Sequence, residues 1–510
     1  MKEHEIRFSV PQTSRDAVAD WFGTHGSTNE ACETLYFDTD TRALRAGGYE
    51  LRVRRIGDTF VQTIKTADAG SPWVRQEFET PVASFEPSRA HLFDHLSQTD
   101  DLGGDADTAF GTLKPVFETR LTRRRLRRTR SDGTVESVFD DGHILAAGRS
   151  RPILEVEHEL KNGKPSALSS SCLEFLDRNP CAIGVEGKAA RGYRLWQGDT
   201  AQPVYQKKVR IARDTRLPEA LHRIFANNFS HALANLPALA DTGVPASIHQ
   251  MRVGLRRLRS AFYAFKPVLS GDGVRDLNGG TKRIFALLGE VREADVFLAD
   301  TLPNVPANVL PARGRRLLER VVAAERDAAL ARLQNCLTGK DFARLVVEID
   351  TWIEGRSWLT FARPVDRLLV DRPIGEFAAA RLQNMHRKFI KLGRKAIVGT
   401  LDDWHQVRIM AKKLRYSGEP LLAALDDEVD PDYAKNLAQL QETLGHINDS
   451  HSARAFLERI RASVPARSRA SFAEAAAYCI GWGAASAQAA SRVVADGWRA
   501  FEATGPSTRR

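Results

Sequence analysis

Over roughly the first two hundred positions apolar and polar residues alternate with a period of two; from about residue 214 onward they recur at helical spacing. The alternation runs through HEIRFSV, TLYFDTD, YELRVRRI, TFVQTIKT, VRQEFETPV, VFETRLTRRRL, VESVFDDGHIL and ILEVEHEL, with Asp-Gly, Gly-Gly and Asn-Gly turns between them. About eight strands are predicted. SRDAVADWFGTHG, SFEPSRAHLFDHL and SALSSSCLEFLDR have helical spacing, so this half reads as α+β around a large antiparallel sheet. Glu50, Arg52 and Arg54 in YELRVRRI, and Glu155, Glu157 and Glu159 in ILEVEHEL, fall on every second residue and share one face of their strands. Glu3 and Glu5 do the same on the first strand, and Lys65 adds a cation on the fourth. A single charged face is ordinarily the solvated side of a sheet. One-sign rows on several strands suit a sheet closed into a barrel, its lumen lined by segregated cations and carboxylates. Such a lumen suits a polyphosphate held with a divalent metal, the carboxylates taking the ion and the cations the phosphate oxygens.

The helical half contains a duplication. IHQMRVGLRRLRSAF (248–262) and WHQVRIMAKKLRYSG (404–418) match at one offset, and LLGEVREAD (287–295) matches TLGHINDSH (443–451) at the same offset. Two related helical bundles are expected. On each repeated helix one stripe is apolar (Met251, Leu255, Leu258, Phe262, Phe265; Val407, Ala411, Leu414, Leu421). The other is cationic: His249, Arg252, Arg256 and Arg259 in the first copy, His405, Arg408, Lys412 and Arg415 in the second. A solvated face normally interleaves Glu with Lys or Arg at i, i+4, yet residues 248–268 and 404–418 hold no acidic residue. The uncompensated charge points to an anionic ligand. His249 and His405 read as phosphate or packing contacts, because no carboxylate or second His stands at i+3 or i+4 to complete a metal site.

Length and charge sharpen the division. At 510 residues the chain predicts two or three domains, and 43% hydrophobic with 27% charged residues is ordinary for a soluble protein. Residues 1–199 hold 27 Lys+Arg against 31 Asp+Glu and residues 200–510 hold 47 against 33, which divides the net charge of +10 into −4 and +14. The basic half is expected to meet a polyanion. No apolar run reaches the ~20 residues of a membrane span. The N-terminus lacks a secretory core, and five scattered cysteines form no CxxC pair, so a cytoplasmic location is expected.

EHEIR resembles the ExExK signature of the CYTH family, the triphosphate tunnel metalloenzymes, and YFDTD, LRAGGYELRVRR, FVQTIK, VESVFDDG, EVEHELKNG and KAARGYRL follow in that family's order over about residues 1–196. The resemblance implies an eight-stranded antiparallel tunnel that hydrolyses a triphosphate (inorganic, thiamine or nucleoside) with Mg²⁺ or Mn²⁺. Adenylate cyclisation is a rarer activity of the fold. Carried over, Glu3, Glu5, Glu155 and Glu157 are the implied metal carboxylates, Glu3, Glu5, Arg7 and Lys65 the catalytic set, and Arg52, Arg54, Lys188 and Arg191 phosphate ligands. Arg7 stands where the signature has Lys, replacing a compact ammonium by a planar fork. In RLTRRRLRR the parities of Arg120 and Arg124 oppose those of Arg123 and Arg125. Arg120 and Arg123 are the expected phosphate contacts, which requires a bulge; a solvated basic edge is the other reading.

The repeated HxxRxxx[RK][RK]LR helices resemble the CHAD domain, the conserved-histidine α-helical domain, over about residues 210–500. That resemblance implies a helical bundle that binds inorganic polyphosphate through a basic surface and associates with polyphosphate granules. The implied contacts are His249, Arg252, Arg256, Arg259, Lys282, Arg283, His405, Arg408, Lys412, Lys413 and Arg415. Arg387, Lys388, Lys391, Arg394 and Lys395 extend this surface or form a snorkelling helix edge. The chain thus reads as a tunnel domain (1–200), a linker (201–213) and a helical domain (214–505), with repeats at about 214–345 and 370–505. The expected function is an inorganic triphosphatase with a polyphosphate-binding domain. The alternatives are a polyphosphate-binding protein with a degenerate tunnel, favoured by Arg7, or a thiamine or nucleoside triphosphatase. Nucleic acid is disfavoured because the cationic helices lack interleaved aromatics.

Overall fold

The computed structural model describes residues 2–67, 71–88, 90–91, 113–206, 209–269, 272–359, 372–399, 401–425 and 430–506. Of the helix expected in SFEPSRAHLFDHL (84–96), residues 89 and 92–96 lie outside the described residues, and residues 84–88 are not helical. The eight expected strands are all present: β1 (Lys2–Ser9), β2 (Thr28–Asp38), β3 (Tyr49–Ile56), β4 (Thr59–Ala67), β5 (Val74–Val82), β6 (Lys114–Arg130), β7 (Gly133–Ala146) and β8 (Arg149–Gly163). They are antiparallel neighbours in the order β5-β4-β3-β2-β6-β7-β8-β1, and β1 also pairs with β5, which closes the ring. One edge of β1 pairs with β8 through Glu5–Ser9; the other is shared between β5, through Lys2–His4, and a short β9 (Ala182–Gly184), through Arg7–Ser9. Alternation could not reveal β9, because three residues carry no period.

Closure decides what the period of two means. On β1, Glu3, Glu5 and Arg7 face the lumen, whereas His4, Ile6 and Phe8 face outward and are buried. Helices α1 (Arg15–Thr24) and α3 (Pro165–Arg178) cover that outer face, with Trp21, Phe8 and Phe175 forming an aromatic cluster. A short α2 (Ala43–Ala46) follows β2, and the Asp38 carboxylate accepts from the backbone N–H groups of Thr39 and Leu44 at its start.

Helix α4 (Lys188–Gln197) packs on β6 and β7. The Tyr193 hydroxyl donates to Asp38 Oδ2 at 2.7 Å, and the Tyr193 ring meets Phe117, itself stacked on Tyr36. Gly192 allows this approach, for a Cβ there would lie 2.2 Å from Phe117 Cε2.

The remaining elements are helices: α5 (Leu217–Ala234), α6 (Leu236–Asp241), α7 (Pro245–Ala264), α8 (Asp272–Val296), α9 (Ala312–Leu337), α10 (Lys340–Glu354), α11 (Ile374–Ile397), α12 (Leu401–Ala423), α13 (Pro431–Ile460) and α14 (Arg469–Glu502). The matched segments lie on α7 then α8 and on α12 then α13, so each copy is a long helix followed by another. The predicted apolar stripes of α7 and α12 are buried throughout. Compactness divides the chain into a first unit of residues 1–205, 229–247 and 335–357 and a second of 206–228, 248–334 and 358–510. The first unit therefore takes in α10, whose buried residues include Phe342, Val346, Val347 and Trp352 and which packs on α3 and β9. No described helix is long and apolar enough to cross a membrane.

Gly192→Ala is expected to destabilise the first unit by about 1–3 kcal/mol through overpacking against Phe117, even though alanine favours a helix by about 1 kcal/mol. Urea denaturation checks the sign: a stabilised variant would show that α4 does not need this close approach.

Candidate active site and cationic face

The barrel encloses a cavity of about 260 Å³ lined mainly by charged side chains. Glu3, Glu5, Arg7, Arg52, Arg54, Lys65, Arg123, Glu157 and Lys188 all reach it, so most of the sequence-predicted residues converge. Their signs are interleaved rather than segregated as expected. Arg7 pairs in register with Glu157, Lys65 stands between Glu50 and Glu77 on the neighbouring strands, and Arg123 lies opposite Asp140. Ionised groups held out of water cost several kcal/mol each unless paired, which favours cross-strand neighbours of opposite sign.

Two carboxylate trios result. In the first, Glu3, Glu77 and Glu159 bring oxygens within 4.8 Å of one another. Lys65 Nζ donates to both oxygens of Glu3 at 2.8 Å and lies 3.1 Å from Glu77, while Lys161 holds Glu159 at 2.6 Å. Burial, then the neighbouring charges of Glu5 and Glu77, push the Glu3 carboxyl up to about 7 against the pull of Lys65. This trio carries negative charge that its cations do not fully meet.

The second trio, Asp140, Glu155 and Glu157, is the reverse. Lys188 Nζ lies 2.7 Å from Asp140, 2.8 Å from Glu157 and against Glu155. Arg123 grips Asp140 with two bonds of 2.7 Å, Arg7 Nε donates to Glu157 at 2.8 Å, and Arg191 pairs with Glu155. Burial alone would raise the Asp140 carboxyl, but Arg123 and Lys188 bring it down to about 2; Lys188, Arg7 and Arg123 likewise hold Glu157 well below the usual carboxylate range. Four cations satisfy three carboxylates. Of the four carboxylates expected at a metal, Glu155 and Glu157 are thus paired with protein cations in this trio, while Glu3 stands with Glu77 and Glu159 in the other.

Among the lumen cations Arg54 stands apart. Among the described residues it has no carboxylate within ion-pair distance, and burial together with Arg52 and Arg123 brings its guanidinium down to about 10. Its neighbours Arg52, which pairs with Glu77 at 3.3 Å, and Arg123, which Asp140 holds, complete a cationic patch whose unmatched charge is that of Arg54. Arg120 does not reach the lumen. Its side chain is 63% exposed and pairs with Glu118 at 2.9 Å, because β6 has no bulge between 120 and 123 and the two residues point to opposite faces. Arg191 bonds Glu155 without lining the cavity. Sequence reasoning missed Glu77 and Asp140, although alternation puts Glu77 on one face of its strand with Arg75 and Glu79, and Asp140 on one face with Glu136 and Val138.

In the second unit the two cationic helices meet. Arg256 of α7 donates to the Tyr416 hydroxyl of α12 at 2.8 Å, and Ser417 Oγ donates to the Ser260 carbonyl at 2.9 Å. Burial, then Arg408 and Arg256, bring the Lys412 ammonium down to about 8, and burial with Arg256 brings Arg252 down to about 10. Burial and Arg292 also lower His249. Among the described residues Arg408 has only Asp449, at 3.9 Å, as an acidic partner. Arg292 was not foreseen, nor were the rings beneath the guanidiniums: Arg252 and Arg259 lie over Phe285, Arg256 and Arg415 over Tyr416, and Lys413 over Tyr263. Aromatics therefore accompany the cations, contrary to the expectation from spacing. Lys282, Arg283 and His405 are exposed.

The sequence profile of the CYTH domain matches residues 1–193, and that of the CHAD domain matches residues 223–458. A Haemophilus influenzae protein named inorganic triphosphatase is 27% identical over 172 residues, covering 31% of this chain and 44% of that protein. The chain thus spans less than half the length of this relative. The crystal structure of the CHAD domain from the plant Ricinus communis is 26% identical with a TM-score of 0.50, covering 61% of this chain and 99% of that one.

Asp140→Ala is expected to cost about 3–5 kcal/mol of unfolding free energy by stranding buried Arg123 and Lys188. Arg54→Met, which removes a guanidinium without a carboxylate partner, should leave stability unchanged or raise it; urea denaturation compares the two. The depressed Asp140 carboxyl contributes stability that is complete above its unfolded value of about 3.9 and lost as pH falls toward about 2. Asp140→Asn should lack that part of the acid limb.

Proposed function

Because the chain carries a CYTH domain followed by a CHAD domain, we propose that the tunnel hydrolyses inorganic triphosphate with a divalent metal and that the cationic face of the second unit binds long-chain polyphosphate. The observation that carries the first part is one enclosed lumen holding both a carboxylate trio with unmet negative charge and a cationic patch with unmet positive charge. Glu3, Glu77 and Glu159 would hold the ion, which would neutralise phosphate charge and polarise the transferred phosphoryl group. Arg52, Arg54 and Arg123 bind phosphate oxygens, and their fixed guanidiniums stabilise the charge that develops on the departing diphosphate. Glu5 orients the attacking water. Arg7, held by Glu157 and Glu5, supports the carboxylates from the lumen wall. The name borne by the Haemophilus influenzae relative favours this reading.

Glu3→Gln together with Glu5→Gln in the full chain should lower Mg²⁺- or Mn²⁺-dependent phosphate release from tripolyphosphate by at least about 100-fold while the protein stays folded. Assays run beside ATP and thiamine triphosphate identify the preferred triphosphate. Undiminished release by the double variant would refute the assignment, and an inactive wild type would support a binding tunnel.

For the second unit, Arg252, Arg256, Arg408 and Lys412 changed together to Ala should weaken long-chain polyphosphate binding at least about tenfold, with little effect on tripolyphosphate hydrolysis. A bound polyanion raises the Lys412 ammonium from about 8, so binding takes up a proton and the affinity should fall as pH rises from 7 to 9. Calorimetry with polyphosphate of graded length, beside duplex DNA at equal salt, decides the matter: equal affinity for DNA or an unaffected quadruple variant would refute a polyphosphate surface.

A further inference from the structure

Helix α10 lies within the residues matched as CHAD, yet it belongs to the compact unit that contains the tunnel. Its buried face is apolar except at one position. Asp350, 3% exposed, shares that face with Val346, Val347, Ile349 and Ile353. A carboxylate on an apolar docking face is costly unless paired. Its Oδ2 lies 2.8 Å from Nε2 of His4, which is also buried. A carboxylate only accepts, so His4 Nε2 is the donor of this bond.

His4 stands between Glu3 and Glu5 on β1. Successive strand side chains point to opposite faces, so a bond that fixes the His4 ring from outside the barrel fixes the backbone from which both carboxylates enter the lumen. This short stretch is where β1 changes partners. It pairs with β5 through Lys2–His4 and with β8 from Glu5 onward, and Glu5 N donates to the Trp73 carbonyl at 3.0 Å. A strand that shifts by a fraction of an ångström at this switch would move Glu3 relative to Glu77, its neighbour across the trio.

We infer that Asp350 is a positioning residue for the tunnel carboxylates, acting through His4, so that a helix encoded beyond the CYTH match completes the metal-binding geometry. The inference rests on the reading of Glu3 as a metal ligand. The rival is that the pair serves only to dock α10 on α3 and β9.

An apolar pair of similar volume separates the two. Replacing a buried polar pair by packed apolar groups is often neutral or stabilising. His4→Phe with Asp350→Leu should therefore melt at or above the wild-type temperature. The measurement is Mn²⁺ affinity of the full chain by calorimetry, with the metal dependence of tripolyphosphate hydrolysis as a second readout. Asp350→Ala and the apolar pair should each weaken Mn²⁺ binding about tenfold, while Asp350→Asn, which keeps an oxygen acceptor for His4, should stay within about twofold of wild type. Wild-type Mn²⁺ affinity in the folded apolar pair would overturn the inference, as would an Asn variant as weak as the Ala variant. Metal affinity is read directly, so a wild type that binds Mn²⁺ yet releases no phosphate fails the triphosphatase reading alone.

Discussion

The ammonium of Lys188 sits among three carboxylates in the interior of a barrel, and the rest of the first unit is arranged around keeping it there. Removing an ion from water costs several kcal/mol even after relaxation, and only close partners with good geometry offset that cost. Asp140, Glu155 and Glu157 supply those partners from two adjacent strands, which fixes the register of β7 against β8. Lys188 arrives from the first turn of α4, so α4 must dock closely. Gly192 makes room beside Phe117, and the Tyr193–Asp38 bond locks the helix to the end of β2. A barrel interior of eight strands is normally filled by side chains. Here the mutual pairing of charged groups replaces an apolar filling, and the space they leave is the cavity.

Two carboxylate trios that both draw on β8 have opposite electrical characters, and the difference follows from counting neighbours. Around Asp140 the cations outnumber the acids, so Asp140 and Glu157 are held ionised. Around Glu3 further glutamates crowd in, and its proton is retained up to about pH 7. A metal complex of a triphosphate presents the complementary pair of charges in one ligand, a cation for the acidic trio and phosphate oxygens for Arg52, Arg54 and Arg123. On the proposed function such a ligand would meet the charge that the internal pairs leave over, the crowded carboxylates around Glu3 and the unmatched guanidinium of Arg54.

The cationic helices of the second unit meet the same physics without the acids. Arg252, Arg256, Arg408 and Lys412 crowd one another, and aromatic rings support the first two: Phe285 lies 4.1 Å from the Arg252 guanidinium carbon and Tyr416 lies 4.6 Å from that of Arg256. A ring face offers a cation about 0.5–2 kcal/mol without neutralising it. The charge therefore remains available to an outside anion, and the lowered Lys412 records the cost of keeping it uncompensated.

Sequence by itself determined the strand set, the burial of the apolar stripes on α7 and α12, and most lumen residues, because each depends on a local period of two or 3.6 that burial on one face imposes. Parity put Glu3, Glu5, Arg52, Arg54, Lys65 and Glu157 on faces that do converge. Tertiary structure decided what parity leaves open. Arg120 and Arg123 have opposite parity, and only the pairing of β6 with β2 and β7, regular from 120 to 123, shows that Arg123 enters the lumen and Arg120 does not. Which carboxylates share a site depends on strand neighbours distant in sequence, so Glu3 meets Glu77 and Glu159 while Asp140 gathers Glu155 and Glu157. The two charged rows looked segregated along the chain and are interleaved in space, since antiparallel pairing sets each cation beside acids of the adjoining strand. Asp350 is the extreme case. Nothing local distinguishes it from other acids of the helical half, and its meaning comes only from a 2.8 Å contact with a residue 346 positions away.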